Sequence, residues 1–382
     1  MPPEVWLYDR ESLERLLWPA TEDGDYARRY LVPFLQNGPQ TYIHNVQTTP
    51  LVLRVGDTIL PLTATEYHPN NSYVCSPYNH YVTYGTEELR TLDNPPVEAI
   101  LRLLYRPIGW YLRRYDFDRV LYVNNWLLST NLYPALRQEE IKAALAFLVR
   151  EFPDRAIICR SVDGYRNSAL QQTVLGQGAR LVFSRQVYYQ EVQRAEVQKK
   201  GDYQRDLKLL QKTPYRVVEG DDLRGAAQVR RIVELYNDLY LRKYSYHNPQ
   251  FTEAFISLAL EQRLLTIKAL EREGRLDAVL GYVARNGVIT APLFGYDTAL
   301  PQSLGLYRLL TALTSLEALT HQRLVHFSAG VGGFKRLRGA LPTIEYNALY
   351  DRHLPATRRR PWTLLKAISD RVAVPLAQKY GF

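Results

Sequence analysis

Two kinds of apolar periodicity alternate along the chain. Short apolar or alternating runs bounded by turn residues predict strands, whereas apolar positions three or four residues apart predict helices. In the first half, a Gly56-Asp57 turn divides one apolar run into two strands. The predicted strands of this half cover 51–62, 120–123, 156–161 and 179–191, and the predicted helices cover 96–114, 141–152 and 164–177.

The second half repeats this order in a longer form. Its predicted strands cover 215–219, 264–274, 275–287, 288–297, 323–330 and 343–350, and its predicted helices cover 194–213, 222–244, 251–263 and 305–320. Both halves contain a meander followed by a helix and a strand, which indicates a weak internal repeat. We therefore predict an α+β fold with two mixed-sheet domains in tandem, 1–192 and 193–355, and an amphipathic helix within 356–382.

Length and composition exclude several protein classes. The 382 residues suffice for two to three domains of about 150 residues. With 46% hydrophobic and 23% charged residues, the chain is neither disordered nor collagen-like. No apolar run approaches the ~18 residues of a membrane span, and the N-terminus lacks a secretory pattern. Two cysteines, Cys75 and Cys159, make no disulfide scaffold, so we expect a cytoplasmic protein.

The chain has 48 Lys and Arg against 39 Asp and Glu, and the net charge of +9 indicates which kinds of partner could bind. Such a surplus suits a phosphate-bearing ligand, an acidic carrier protein or an RNA, and DNA is not among the expected partners. A genome that favours arginine codons would give the same surplus. The C-terminal helix follows three arginines and could pack on the body of the protein or touch an anionic membrane.

Common catalytic motifs are absent. The sequence has no Gly-x-Ser-x-Gly elbow and no P-loop, and its seven histidines never adopt a metal-binding spacing, so no metal site is predicted. Cys75 and His80 suggest a thiol–imidazole pair, although a small buried cysteine is the simpler interpretation.

Three segments of the second half carry a family resemblance. They are the basic helix 199–207, the strand-loop-helix 294–307 and the Gly-Lys segment 326–335, HFSAGVGGFK. Together they resemble the GNAT superfamily of N-acyltransferases. The resemblance is to the branch that includes Fem-type aminoacyltransferases and related acetyltransferase-like proteins of bacterial biosynthetic clusters. It covers about 188–350, with a weaker echo in the first half, and implies two GNAT-like domains of which the first is degenerate.

The resemblance implies a donor site at the start of the helix 305–320. GNAT enzymes bind a pyrophosphate there with Gln/Arg-x-x-Gly-x-Gly/Ala, and Tyr307 departs from that pattern by replacing its last small residue. Acyl-CoA, acyl-carrier-protein phosphopantetheine and aminoacyl-tRNA remain candidate co-substrates, and no cofactor is expected to be tightly bound. A simple turn at Gly305 is the structural alternative. The implied donor-binding residues are Gln302, Ser303, Leu304, Gly305, Leu306, Tyr307, Gly332 and Gly333.

Lys335, Glu345 and His353 are the candidate catalytic residues. The resemblance places Lys335 near the transferring carbonyl or the acceptor, where a protonated amine would stabilise an oxyanion or a phosphate. Glu345 and His353 could accept a proton from an attacking amine. For each of them a solvated or structural role is the alternative.

A dense set of hydrogen-bonding residues in the first half predicts an acceptor pocket. Its members are Tyr67, His68, Asn71, Tyr73, Tyr78 and His80. We expect an N-acyltransferase that moves an acyl or aminoacyl group onto an amine by direct attack, in bacterial specialised metabolism or cell-envelope biosynthesis. An aminoacyl-tRNA-dependent amide ligase and a non-catalytic binding protein are the alternatives.

Overall fold

The structure is a computed structural model that describes residues 3–88 and 95–380. Its contacts divide the chain into two compact units. The first contains the chain up to Ser184, Tyr244–Gln250 and Glu345–Val374, and the second contains Arg185–Lys243, Phe251–Ile344 and the chain from Pro375. Each unit thus includes a segment from the other half of the sequence. The domain boundaries expected at 192 and 355 remain a prediction.

The first unit is built from a six-stranded mixed sheet and its helices. The strands are β1 (Val5–Tyr8), β2 (Thr49–Val55), β3 (Thr58–Thr65), β4 (Val120–Val123), β5 (Ala156–Asp163) and the end of β12 (Leu341–Tyr350), in that spatial order. The helices are α1 (Glu22–Asn37), α2 (Gly85–Glu88), α3 (Pro95–Arg114), α4 (Gln138–Glu151), α5 (Ser168–Gly176) and α12 (Ala356–Ile368).

The second unit has a sheet of the same size. Its strands lie in the order β6 (Arg180–Gln190), β11 (Leu324–His326), β10 (Val288–Tyr296), β9 (Arg275–Arg285), β8 (Thr266–Arg272) and β7 (Arg216–Glu219). Its helices are α6 (Ala195–Gln198), α7 (Gly201–Lys212), α8 (Ala226–Asn237), α9 (Glu253–Glu261), α10 (Leu306–Thr320), α11 (Gly332–Leu337) and α13 (Val374–Tyr380), the last of which begins one residue before the second unit's final segment.

Strand pairing repeats between the units. In the first unit, β1–β2, β2–β3 and β3–β4 are antiparallel, β4–β5 is parallel, and β5–β12 is antiparallel. In the second, β7–β8, β8–β9 and β9–β10 are antiparallel, β10–β11 is parallel, and β11–β6 is antiparallel. The predicted α+β fold with two mixed sheets in tandem is confirmed. The last strand of each repeat in chain order, β6 or β12, completes the sheet of the other unit.

Apolar faces of the helices explain how each sheet is covered. In the second unit, Leu309, Leu310 and Leu313 of α10 lie at helical spacing and join a core with Leu280 of β9 and Ile289 of β10. A core in the first unit includes Trp362 of α12 with Phe117 and Val120. Burial of such side chains stabilises each by roughly 1.5–3 kcal/mol. In the described part of the chain, no helix is both long and apolar enough to cross a membrane.

The C-terminal segment that was expected to be an amphipathic helix forms α12, a π-helical turn at Ser369–Ala373 and α13. Trp362 of α12 is buried, whereas Leu364 and Ile368 are exposed. Residues 381 and 382 of the predicted segment lie outside the described residues.

Candidate functional site

The start of α10 is a helix N-terminus without a side-chain cap. Gly305 has a φ of +67°, a left-handed conformation that glycine adopts at little cost, and it provides no side chain to cap the helix. The first N–H groups of a helix have no intrahelical acceptor and attract anions. Gln302 and Ser303, in the turn that precedes Gly305, are exposed. This segment can therefore offer backbone and side-chain donors to an anionic ligand.

Two neighbours define the space around that N-terminus. A Cβ added to Gly305 would lie 2.9 Å from Cδ2 of Leu209 in α7, so α7 closely approaches the glycine. The Tyr307 ring belongs to an aromatic cluster, with its centroid 5.2 Å from that of Phe294 and 5.0 Å from that of Phe334. Tyr307, which departs from the GNAT pattern, thus forms part of the packing beside the helix.

A buried carboxylate fixes the position of α10. Asp206 of α7 accepts hydrogen bonds from Nε of Arg308 at 2.7 Å and from Nε of Arg338 at 2.5 Å. The guanidinium of Arg338 also stacks on the ring of Phe334. One carboxylate therefore links α7, the first turn of α10 and the residue that follows α11. Sequence patterns did not identify this link, because its three members lie up to 132 residues apart.

The parallel strands of the second unit separate near this helix. β10 and β11 pair only over Val288–Thr290 and Leu324–His326. Beyond Thr290, an irregularity before Leu293 shifts β10, which continues along β9, whereas β11 ends at His326 and the Phe327 amide donates to the Tyr188 carbonyl of β6. Such separations at the carboxyl ends of parallel strands form ligand-binding crevices in open sheets.

Lys335 lies in the second unit and is only 3% exposed. Its Nζ donates to the carbonyl oxygens of Phe327 at 2.7 Å, Ser328 at 3.2 Å and Ala329 at 2.8 Å. Burial and the charge of Arg185 lower the pKa of Lys335, whereas three carbonyl acceptors match the three hydrogens of an ammonium group. The side chain holds the loop that follows β11.

The glycine-rich segment 328–335 is a loop with left-handed residues followed by a short helix, whereas the sequence suggested a simple turn. Ser328, Gly330 and Val331 have positive φ angles of 56°, 80° and 44°, and α11 begins at Gly332. The predicted donor residues Gly332 and Gly333 are therefore helical, and Gly332 is buried. A β-branched residue such as Val331 rarely adopts a left-handed conformation, so this loop is strained.

A neutral histidine supports the same loop. His326 Nδ1 accepts a hydrogen bond from the Ser328 amide at 3.0 Å, and Arg185 donates to the Ser328 hydroxyl at 2.9 Å. Burial, together with the charges of Arg185 and Lys335, lowers the pKa of His326 to about 3. The imidazole is therefore uncharged at neutral pH. Although the sequence contained His326 within the resembling segment, nothing in its spacing singled it out.

Glu345 and His353 lie in the first unit, unlike Lys335. Glu345 is buried on β12 opposite Asp163, with the Ser184 hydroxyl 3.5 Å from its carboxylate. His353 follows the strand, and its Nε2 donates to the carbonyl of Arg155 at 2.9 Å. Glu345 lies five residue steps, about 17 Å, from Tyr350, whose ring stacks on that of His353, so the two candidate bases do not form a pair.

The predicted acceptor residues form two aromatic contacts and a structural core. Tyr67 and Tyr78 meet edge to face at 5.1 Å beneath the guanidinium of Arg113, whereas Tyr73 and His80 meet at 5.7 Å.

Asn71 is buried and holds loops together, since its Oδ1 accepts from the Gln47 and Ser72 amides and its Nδ2 donates to the Gln47 carbonyl. His68 is half-buried, and its Nδ1 accepts from the Asn70 amide at 3.3 Å.

Asp118 is a buried titratable residue near this set that sequence reasoning missed. Burial raises its pKa to about 7, against hydrogen bonds from the Ser76 hydroxyl at 2.5 Å and the Tyr78 amide at 2.6 Å. Among the residues that the structure describes, no three His, Cys, Asp or Glu side chains are grouped as metal ligands.

Comparison with known proteins bears on the second unit. Residues 198–336, which include the uncapped start of α10 and the loop held by Lys335, match the family model described as an acetyltransferase (GNAT) domain. The chain contains a GNAT acyltransferase domain. A search of curated proteins found no match to this sequence.

Several solved structures are similar at low identity. The C-terminal domain of a lysylphosphatidylglycerol synthetase, described as putative, from Agrobacterium fabrum is 12% identical, with a TM-score of 0.46 over 62% of this chain and 79% of that one. FemX is 8% identical, with a TM-score of 0.47 over 65% and 83%. A tandem GNAT protein from the clavulanic acid biosynthesis pathway is 11% identical, with a TM-score of 0.42 over 92% and 100%.

Proposed function

We propose that the protein is an N-acyltransferase whose second unit binds an activated acyl donor at the start of α10. The observation that carries this proposal is the uncapped N-terminus at Gly305, which lies within the GNAT domain and follows the separated strand β10. A helix N-terminus with exposed Gln302 and Ser303 suits the phosphates of coenzyme A or of a carrier-protein phosphopantetheine.

In the proposed reaction, an uncharged amine attacks the carbonyl carbon of a thioester. The new C–N bond forms as the C–S bond breaks, the amine proton passes to a base or to water, and the departing thiolate takes up a proton. Backbone N–H groups near the separated strands would stabilise the oxyanion. Lys335 acts as a positioning residue in this proposal, because three carbonyls engage its ammonium.

Transfer from an aminoacyl-tRNA is the second candidate, and one observation favours it. Four lysines in and just before α7 are exposed and could meet an RNA backbone. They are Lys199, Lys200, Lys208 and Lys212. A non-catalytic binding protein is the third candidate.

A donor panel with matched variants distinguishes these candidates. Acyl-CoA, an acylated carrier protein and charged tRNA are each offered with a mixture of amines, and product is followed by mass spectrometry. Ser303→Asp adds a negative charge beside the proposed phosphate site and should raise KM for acyl-CoA at least tenfold, whereas Ser303→Ala should change it less than threefold. Equal effects would remove the α10 start from the donor site.

Turnover of charged tRNA alone, with strong salt dependence and sensitivity to Lys199→Ala and Lys200→Ala, would select the second candidate. No turnover with any donor would favour the binding protein.

A further inference from the structure

The first unit contains a buried cation that lacks an anionic partner among the described residues. Arg160 of β5 is 4% exposed and directly follows Cys159, the last residue that pairs with the parallel strand β4. Its Nη1 donates to the Val74 carbonyl at 2.8 Å and to Asn125 Oδ1 at 2.8 Å. No carboxylate of the described chain forms an ion pair with Arg160, and its Nε and Nη2 make no hydrogen bond there.

An unpaired buried charge is costly, so this arrangement calls for an anion. Nε–H and Nη2–H point the same way along one edge of a guanidinium, and that edge matches the two oxygens of a carboxylate. The Nη1 contacts fix the plane of the group and leave the edge unused. A carboxylate also neutralises the single charge of Arg160, whereas a phosphate dianion would leave an uncompensated negative charge in a buried place.

The tyrosine whose ring contacts this guanidinium has a second unpartnered polar group. Tyr122 of β4 is completely buried, and its hydroxyl has no hydrogen-bond partner in the described chain. The Arg160 guanidinium carbon lies 5.5 Å from the centre of the Tyr122 ring. Buried hydroxyls in folded proteins nearly always have partners. Arg160 and Tyr122, two side chains in contact, therefore each have a donor without an acceptor.

Hydrogen bonds within the protein fix the backbone around Arg160. Beyond Val123 the chain leaves β5, because the Asn125 amide bonds to the Pro61 carbonyl of β3, while β5 continues along β12. The Asn125 side chain donates to both Thr63 and the Val74 carbonyl, which fixes the acceptors of Arg160. Three non-glycine residues next to this separation have left-handed φ angles between 55° and 58°: Asn124, Leu127 and Ser161. Strain of this kind persists where the surrounding structure enforces it, commonly at functional sites.

We propose that Arg160, with the Tyr122 hydroxyl, binds the carboxylate of a small organic acid at the carboxyl ends of β4 and β5. This site goes beyond the acyl-transfer function proposed for the second unit and requires no turnover. The first unit is then a ligand-binding unit of its own. The ligand contributes one negative charge and two coplanar oxygens.

Binding can be tested directly on the full chain. The probes are formate, acetate and propionate, with inorganic phosphate and chloride at equal ionic strength, and the readout is the Nε–H resonance of Arg160 in ¹⁵N-labelled protein. We expect a saturable shift with at least one carboxylate and none with phosphate or chloride. The size series reports how much space lies beyond the carboxylate.

Variants identify the group responsible. In a thermal-shift titration, Arg160→Gln should abolish the carboxylate-dependent rise in Tm, and Arg160→Lys, which keeps the charge but loses the two-donor edge, should weaken binding at least tenfold. Tyr122→Phe should weaken it about threefold to tenfold and covers the case in which Arg160→Gln fails to fold. Arg10→Gln, which removes an exposed guanidinium, is the matched control and should bind normally.

Equal shifts with phosphate and acetate, an unmoved Arg160 resonance at saturating carboxylate, or retained binding in Arg160→Gln would each overturn the proposal. A bridging water at Arg160 would give the second result. Loss of acyl transfer with carboxylate binding intact would contradict only the function proposed above.

Discussion

The two units separate their parallel strands at equivalent places, and each has one buried cation there. In the first unit, Arg160 directly follows the last paired residue of β5, and in the second, Lys335 reaches the residues just after β11 from α11. Backbone carbonyls hold Lys335, whereas the Val74 carbonyl and the Asn125 side-chain oxygen hold Arg160. Lys335 uses three carbonyls and has no further hydrogen to donate, whereas Arg160 keeps its Nε–H and both Nη2–H groups unused.

This difference follows from side-chain chemistry. An ammonium has three hydrogens, and the loop 327–329 supplies an acceptor for each, so the second unit stabilises its own loop. A guanidinium has five N–H donors in a fixed plane, and one end can be anchored while the other edge remains available. The same strand arrangement therefore occurs twice, with Lys335 as a structural cation in the second unit and Arg160 as the proposed ligand-binding cation in the first.

Replacing the structural cation should have the largest effect. Lys335→Met removes three hydrogen bonds from a charged donor to half-buried carbonyls, each worth about 1–3 kcal/mol, so the second unit should lose about 3 kcal/mol or more of unfolding free energy. Amide hydrogen exchange of segment 324–340 measures this loss.

Lys335→Arg, which keeps donors and charge, should recover part of the loss. All five tryptophans lie in the first unit, so unfolding followed by tryptophan fluorescence should change little and provides the control. Exchange as slow as in the unmodified protein would show that the carbonyl contacts are dispensable.

The stability of the two units should change with pH in opposite directions. Burial raises the pKa of Asp118 in the first unit to about 7, above the unfolded value near 3.9, so this group's stabilising contribution is lost as pH rises from about 4 to 7. Burial lowers the pKa of His326 in the second unit to about 3, so its contribution is lost as pH falls below about 6.5.

Tryptophan fluorescence measures how the stability of the first unit changes with pH, and hydrogen exchange measures the same for the second unit. Each pKa unit corresponds to about 1.4 kcal/mol. Asp118→Asn should flatten only the slope of the first unit, and His326→Asn only that of the second. A variant that retains the slope of its own unit would show that another group titrates there.

A smaller effect is expected at the helix start of the second unit. Gly305→Ala places a Cβ 2.9 Å from Leu209 at a φ of +67° and should cost roughly 1–2 kcal/mol. The double variant with Leu209→Ala relieves the contact but not the backbone strain.

Hydrogen exchange of α10 should therefore show partial recovery in the double variant. Full recovery would mean that the contact alone requires glycine, and no loss in Gly305→Ala would mean that the backbone relaxes.

The sequence by itself determined the elements with strong periodicity. The strand 120–123, the helix 305–320 and the hairpin at Gly56-Asp57 lie where the apolar pattern placed them, because burial of one face requires that pattern. The repeated order also predicted the tandem α+β fold, and the segments around Gly305 and Lys335 predicted the GNAT resemblance.

Only the tertiary structure decided how the ends of the repeats pair and what the polar residues do. Nothing in the pattern of β6 or β12 specifies that each completes the sheet of the other unit, since alternation fixes which face is buried but not which neighbour forms the hydrogen bonds. Lys335 in a glycine-rich segment predicted an accessible cation, and three carbonyls bury it instead. Arg160 lay within an ordinary apolar strand, and its importance comes from partners at Val74 and Asn125, 86 and 35 residues away. Hydrogen-bond satisfaction depends on contacts distant in sequence, so it cannot be predicted from local spacing.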